Sequence, residues 1–471
     1  MRIAIAGSTG FVGGRLIEQL LANSNIQIAA LSRRGVALIH PNNQGIVTDF
    51  FSLASAERAL KNCEVAFYFL HSMIPSNTLS QGNFEDFDFI LADNFARAAK
   101  ATGVKKIVYV GGIVDENTTS ISMHLRSRLE VERVLGSSGI PLTTIRCSLV
   151  IGAEGSSFQI LKKLVSRLPS MFLPNWCNTP CQPVAIEDLI RVLDFTIFRH
   201  ELDGICIDLG APGLLSYRKL IELTAKAAGL KRKFMSIPFI PIQLSKLWVR
   251  LVTGASQELV YPLIDSLIHP MTVRPANKIS ANILPQFTPI DQALAKAISE
   301  KKIVIKLSNP GNISLPPSEN AFESRLVKSV QRLSRPQNTN ALKIARLYFA
   351  WLSRFFNGII NVKNNGQCAK FYLAFCQKSM LELTFSPNRS TPDRQLFYIT
   401  GGFLVAKNSK GRLEFRESPT SSHVFAAIHD FKPSLPWWIY RITQAPAHRF
   451  VMWAFGKFLN RRNFRRKGWH L

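Results

Sequence analysis

The apolar run Ile3-Ala4-Ile5-Ala6 leads directly into Gly7-Ser8-Thr9-Gly10-Phe11-Val12-Gly13. Leu16, Ile17, Leu20 and Leu21 then follow at helical spacing. A buried strand, a glycine-rich turn and an amphipathic helix in that order leave few folds open. They build the phosphate-binding corner of a dinucleotide fold. Gly7 permits the tight turn, Gly10 lets the backbone approach a pyrophosphate, and Gly13 lets the helix pack close to the strand. N–H groups at the helix start then face the anion. Ser8, Thr9, Phe11 and Val12 complete the stretch expected to surround it. A glycine triplet alone is a weak signal, but a second apolar strand, Ile26–Leu31, follows at the expected distance.

Strand and helix continue to alternate over the first 150 residues. Gly45–Asp49, Val65–Leu70, Lys106–Val110 and Leu142–Cys147 read as strands, with helices near Asp86–Thr102 and His124–Leu135. Such alternation predicts a doubly wound parallel Rossmann sheet, with ligands beyond the carboxyl ends of its strands. Residues 150–300 add helices and the strand Ile205–Leu209, the region from which a substrate pocket is expected. Residues 1–305 therefore read as one α/β domain. Residues 306–340, rich in Ser, Asn and Pro, read as a linker. Residues 341–471 read as a basic α+β domain, with strands near Leu381–Phe385, Gln395–Thr400 and Leu413–Arg416. A helical segment runs from Pro436 onward.

Charge divides the chain. Residues 1–150 carry 14 Lys and Arg against 12 Asp and Glu, whereas residues 335–471 carry 22 against 5. A patch this basic attracts nucleic acid, anionic lipid or acidic protein. No zinc-finger, RNA-recognition or helix-turn-helix pattern accompanies it, so nucleic acid is not expected. The seven cysteines include Cys177 and Cys181, but no second ligand pair lies nearby, so no metal site is expected. An odd cysteine count without a disulfide framework fits a reducing, cytoplasmic setting. The N-terminal apolar run is too short for a signal peptide, and no apolar run reaches the ~18 residues of a membrane span.

The second strand ends in Leu31-Ser32-Arg33-Arg34. An acidic residue that would accept from a ribose 2′-hydroxyl is missing there. Arg33 and Arg34 can instead meet a 2′-phosphate, which favours NADP(H) over NAD(H); the alternative is that both are ordinary solvated charges. Asp49, followed by Phe50, closes the third strand, where a carboxylate can meet the adenine edge. A plain loop aspartate is the alternative.

These features resemble the atypical, extended-type short-chain dehydrogenase/reductases. Further segments look like the YbjT-like bacterial NAD(P)-binding proteins: Tyr68–Met73, His124–Arg128, Ile140–Arg146, Ile151–Phe158, Gln182–Asp188, Leu215–Tyr217, Ile237–Pro241 and Gln444–His448. The resemblance implies that Gly7 to Gly13 hold the pyrophosphate and Arg33 the adenosine ribose or its phosphate. Asp49 and Phe50 would flank the adenine. Leu70 and His71 would pass beside the nicotinamide ribose, and Gly111 and Gly112 would lie near the nicotinamide.

The chain departs from that family at its catalytic residues. Members carry Ser or Thr after the fifth strand and Tyr-x-x-x-Lys on the next helix. Here Val110-Gly111-Gly112 and His124-Leu-Arg-Ser-Arg128 stand in those places. A spacing of four keeps His124 and Arg128 on one helical face. Arg128 could hold the ribose, and His124 could move protons, since its reference pKa of ~6.5 lies near neutrality; a hydrogen-bonding cofactor anchor is the alternative for the pair. The expected function is NAD(P)H-dependent oxidoreduction of an unidentified carbonyl or hydrophobic substrate. The alternative is a non-catalytic NADP(H)-binding sensor or assembly protein at a membrane surface. The aromatic, basic segment from Pro436 to Arg462 suits an anionic membrane face, or else a closing helix packed on the C-terminal sheet. An apolar ligand inside that C-terminal domain is a further expectation, drawn from architecture alone.

Overall fold

The computed structural model describes residues 1–33, 43–73, 79–116, 121–237, 240–300 and 326–464. The chain divides into two compact units, residues 1–74 with 88–313 and residues 75–87 with 314–471.

The first unit is built on seven strands: β1 Arg2–Ala6, β2 Gln27–Ser32, β3 Gln44–Val47, β4 Val65–Tyr68, β5 Lys106–Gly112, β6 Leu142–Cys147 and β7 Cys206–Leu209. They lie in the order β7-β6-β5-β4-β1-β2-β3, and every pairing is parallel. The doubly wound Rossmann expectation is thus met. β1 is central, with Ile3, Ala4, Ile5 and Ala6 fully buried. Continuous apolar runs of this kind occur where both faces of a parallel strand are covered. Strand order reverses between β1 and β4, which opens a crevice beyond their carboxyl ends.

Helix α1 (Phe11–Leu20) buries Leu16, Ile17 and Leu20 against the sheet. Helices α2 (Leu53–Leu60), α3 (Phe84–Thr102) and α4 (Met123–Gly136) follow in sequence. Helix α4 starts at Ser122, whose side chain accepts from the Leu125 N–H at 3.2 Å. Helix α6 (Ile186–Thr196) joins the core of the sheet. A separate apolar core is shared by α5 (Ser156–Arg167), α7 (Tyr217–Ala227), α8 (Ile242–Thr253), α9 (Gln257–Leu267) and α10 (Ile290–Ser299). This second core supplies the cavity described below.

The second unit is an eight-stranded sheet. Its order is Ile360–Asn364, Cys368–Leu373, Ser379–Phe385, Arg394–Gly401, Arg412–Glu417, His423–Phe431, Val327–Ser334 and Leu79–Gln81. Pairings are antiparallel except the last, which is parallel. Helices α11 (Ala341–Phe355), α12 (Trp437–Ile442) and α13 (Gln444–Phe464) complete it. Ile344, Phe349 and Leu352 from α11 and Met452, Phe455 and Leu459 from α13 pack on Leu383, Leu413 and Phe415 of the sheet.

Two features differ from the sequence reading. Val327–Ser334, read as linker, is a strand paired along its length with His423–Phe431. Its neighbours Arg335-Pro-Gln-Asn look like loop, which hides a short alternating strand. The strand Leu79–Gln81 pairs with Val327–Ser329, and no local pattern announces that partnership. Among the described residues, no helix is long and apolar enough to cross a membrane. All seven cysteines are unpaired.

Candidate active site

At the end of β1, Gly7 turns the chain at φ +89°, a conformation that a Cβ disfavours. A Cβ there would also stand 2.9 Å from the Phe69 carbonyl oxygen. A Cβ on Gly13 would overlap the Gly7 carbonyl oxygen, and one on Gly10 would lie 3.1 Å from it. The three glycines therefore let α1 begin directly above the strand end. Its first intrahelical bond runs from the Gly14 N–H to the Gly10 carbonyl at 2.8 Å. The N–H groups of Phe11, Val12 and Gly13 precede it and have no carbonyl one turn back. No side chain caps this helix start, and no acidic residue lies in its first turn. The site thus offers donors and a positive dipole end to an anion.

Around this corner, Ser8 is buried, and its hydroxyl donates to the Leu31 carbonyl at 3.1 Å, tying the turn to β2. Thr9 is exposed. The Phe11 ring occupies the space where a Cβ on Gly152 or Gly155 would stand, which explains both glycines of the Ile151–Phe158 segment. Ser32 and Tyr68 end the two strands that flank β1. Both carry a buried hydroxyl with no partner among the described residues. An open glycine cradle between two orphaned hydroxyls fits a dinucleotide.

The side chains beyond β4 form a charged cluster. His71 follows β4, Asp88 lies on α3, and Ser127 and Arg128 lie on α4. Arg128 Nη2 donates to Asp88 Oδ2 at 2.8 Å and to His71 Nδ1 at 2.9 Å. Ser127 Oγ donates to the same carboxylate oxygen at 3.1 Å, and the Ser72 N–H donates to Asp88 Oδ1 at 2.8 Å. Asp88 is 1% exposed and the Arg128 side chain 10%. Burial opposes ionisation of Asp88, but His71, Arg128 and the Ser72 N–H outweigh it and hold the carboxyl far below the usual range. Burial, then the Arg128 charge, pushes His71 below its ordinary value. Arg128 Nε is buried without a partner among the described residues.

His124 lies one turn before Arg128 and stacks on His71, with ring centroids 5.7 Å apart and planes 15° apart. Its Nδ1 is 3.0 Å from Ser266 Oγ on α9. Ser266 Oγ donates to the Pro262 carbonyl at 2.9 Å, and the Ser122 hydroxyl lies 2.9 Å away. Ser266 has one proton and two lone pairs. All three contacts become hydrogen bonds only when that proton goes to Pro262 and both Ser122 and His124 donate. The assignment puts the imidazole proton on Nδ1 and leaves Nε2 as an acceptor. Burial, followed by the charges of His71 and Arg128, holds His124 well below its ordinary pKa. The surroundings of the ring therefore favour its neutral form over the imidazolium.

A cavity of about 130 Å³ lies against His124. Ile160, Leu161, Leu164, Leu220, Ile221 and Leu263 supply most of its apolar wall, and Ser148, Tyr217 and Ser266 its polar edge. Gly111 and Gly112 end β5. A Cβ on Gly112 would stand 3.1 Å from the Leu125 side chain. Leu70 follows β4 and is half-buried.

The adenine-side residues are more scattered. Arg33 is exposed just beyond β2. Arg34 lies outside the described residues. Asp49 Oδ1 accepts from the Phe51 N–H at 3.0 Å and shapes the loop before α2. Phe50 is 4% exposed and packs on Phe95, so its ring belongs to the core. Sequence reasoning missed Asp88, Ser127 and Ser266. Asp88 sits among Glu85, Asp86 and Asp93 on α3, and nothing local marks it. Among the described residues, no group of His, Cys, Asp and Glu is arranged to hold a metal.

The fold and this corner define a nucleotide-binding unit built on a parallel Rossmann sheet. Residues 7–166 match a family model described as NAD(P)H-binding, so the first unit carries an NAD(P)H-binding domain. Over 151 residues the chain is 28% identical to the auxiliary protein GraX of Staphylococcus aureus, covering 30% of this chain and 43% of that protein's length. It therefore spans less than half of that curated relative. A nucleoside-diphosphate-sugar epimerase structure from Staphylococcus aureus shares the fold at a TM-score of 0.50 and 18% identity, covering 63% of this chain and all of that one. The triphenylmethane reductase of Citrobacter sp., in complex with NADP(H), is similar over 63% of this chain and 99% of its own, with 17% identity and a TM-score of 0.48.

Proposed function

We propose that the first unit is an NADP(H)-dependent oxidoreductase acting on a small apolar alcohol or carbonyl. One observation carries this reading: a single neutral imidazole, His124, stands in the wall of an apolar cavity of about 130 Å³. When bound, the coenzyme supplies or takes up a hydride. The N–H groups of α1 hold its diphosphate, with Arg33 at the 2′-phosphate and Asp49 near the adenine. Leu70, His71, Gly111 and Gly112 flank its nicotinamide end, while Arg128 holds His71 and offers Nε to the ribose. His124 Nε2 accepts the hydroxyl proton of an alcohol substrate, with Nδ1–H anchored on Ser266. In the reverse direction, protonated Nε2 returns that proton to the carbonyl oxygen. The unpaired cysteines favour a reducing, cytoplasmic setting.

Titration with NADPH and NADH by intrinsic fluorescence, on wild type and Arg33→Ala, tests the coenzyme assignment. Tighter NADPH binding that Arg33→Ala abolishes is the expected result. Stopped-flow oxidation of bound NADPH across aldehydes and ketones tests the chemistry, and turnover unchanged in His124→Ala would refute the role of that residue. A second reading is a non-catalytic NADP(H) sensor. The glycines at 111 and 112, standing where relatives place a hydroxyl, favour it. Tight coenzyme binding with no turnover on any substrate would select it.

A further inference from the structure

Helix α13 is apolar on two opposite sides. Met452, Phe455 and Leu459 enter the core of the second unit. On the other side, Phe450 is 51% and Trp453 54% exposed, their rings 5.8 Å apart. The neighbouring α12 adds Trp438 and Ile442, both more than two-thirds exposed. A helix with two apolar faces normally buries both. Here the second face stands open in the monomer and calls for cover.

Charge identifies the cover. Nine Lys and Arg follow Asp430, and no Asp or Glu does. Arg441, Arg449 and Lys457 are exposed beside the aromatic stripe, and Lys457 Nζ lies 3.9 Å from the Trp453 ring centre. Arg441 and Arg449 border an open groove of about 570 Å³, walled by Pro446, Phe450 and Trp453. Exposed tryptophans and phenylalanine, flanked by cations that pair with no acidic side chain among the described residues, match the boundary between anionic headgroups and acyl chains.

We propose that the α12–α13 face docks on an anionic phospholipid bilayer. Trp438, Ile442, Phe450 and Trp453 enter the interface, and Arg441, Arg449 and Lys457 meet the phosphates. This docking is independent of the coenzyme chemistry, so coenzyme affinity serves as the control for folding.

The test is co-sedimentation of the full chain with vesicles of phosphatidylcholine, with and without phosphatidylglycerol. Wild type is expected to bind only the phosphatidylglycerol vesicles, with a blue shift in tryptophan emission. At about fivefold per cation, the triple variant Arg441→Gln/Arg449→Gln/Lys457→Gln should bind roughly 100-fold more weakly. Trp438→Ser/Trp453→Ser should lose most binding, and both variants should keep wild-type coenzyme affinity. Equal binding by wild type and the tryptophan variant would overturn the proposal. So would tight binding to an RNA homopolymer without binding to either vesicle.

Discussion

Replacing Asp88 with asparagine removes one negative charge from the charged cluster and turns one acceptor oxygen into a donor. The carboxylate receives Arg128 Nη2 and Ser127 Oγ on one oxygen and the Ser72 N–H on the other. Asparagine keeps one acceptor and turns its NH2 toward the remaining donors. Arg128, with its side chain 10% exposed, is then a buried charge without a counter-ion. Breaking a buried pair in this way costs about 3–5 kcal/mol. The surface pair Lys105–Glu64, whose side chains are 75% and 42% exposed, provides the internal control. Glu64→Gln should cost less than ~1 kcal/mol. Urea unfolding of wild type and both variants, followed by tryptophan fluorescence, measures the difference. The pH dependence has a definite sign. Asp88 is held far below the unfolded carboxyl value of ~3.9, so its contribution is complete above about pH 4. It declines as pH falls further, and the wild-type and Asp88→Asn stability curves should converge in strong acid. An Asp88→Asn cost no larger than that of Glu64→Gln would refute the buried-pair argument.

Because burial holds His124 well below its ordinary pKa, carbonyl reduction should go on accelerating as pH falls below neutrality, whereas alcohol oxidation stays flat until pH nears that lowered value; a pH–rate profile in both directions, with His124→Gln as the flat control, checks this. Ser266→Ala removes the acceptor of the Nδ1–H, so kcat/KM should fall about fivefold, the value of one neutral hydrogen bond of ~1 kcal/mol, and nitrogen NMR should show a shift in tautomer balance. Gly10→Val places a branched side chain at the mouth of α1, 3.1 Å from the Gly7 carbonyl oxygen at its Cβ; coenzyme affinity by fluorescence should drop by about tenfold or more, since overpacking costs ~1–3 kcal/mol. Ile221→Trp should fill much of the cavity of about 130 Å³, raising KM for apolar substrates while leaving coenzyme affinity at the wild-type value in the same assays.

The residues that were legible in the sequence owe their legibility to local chemistry. The strand, the glycine turn and α1 are contiguous, and Gly10 and Gly13 each answer a clash within a few residues, whereas Gly7 answers its own positive φ and the distant Phe69 carbonyl. His124 and Arg128 are also a local pair, since four residues make one helical turn. Their partners are not local. Asp88 meets Arg128 from 40 residues away, and Ser266 meets His124 from 142 away. Both meetings depend on how α3 and α9 are laid against α4, which periodicity does not encode. Leu79–Gln81 likewise becomes a strand only because Val327–Ser329 offers it an edge.

Sequence alone determined the parallel sheet, the anion-binding corner and the face that carries His124. Tertiary structure alone decided the protonation state of that histidine, the counter-ion of Arg128 and which aromatic side chains of α13 stay exposed. Backbone periodicity and glycine sterics act between neighbours in the chain. Desolvation and ion pairing act between neighbours in space, and those are known only once the helices have packed.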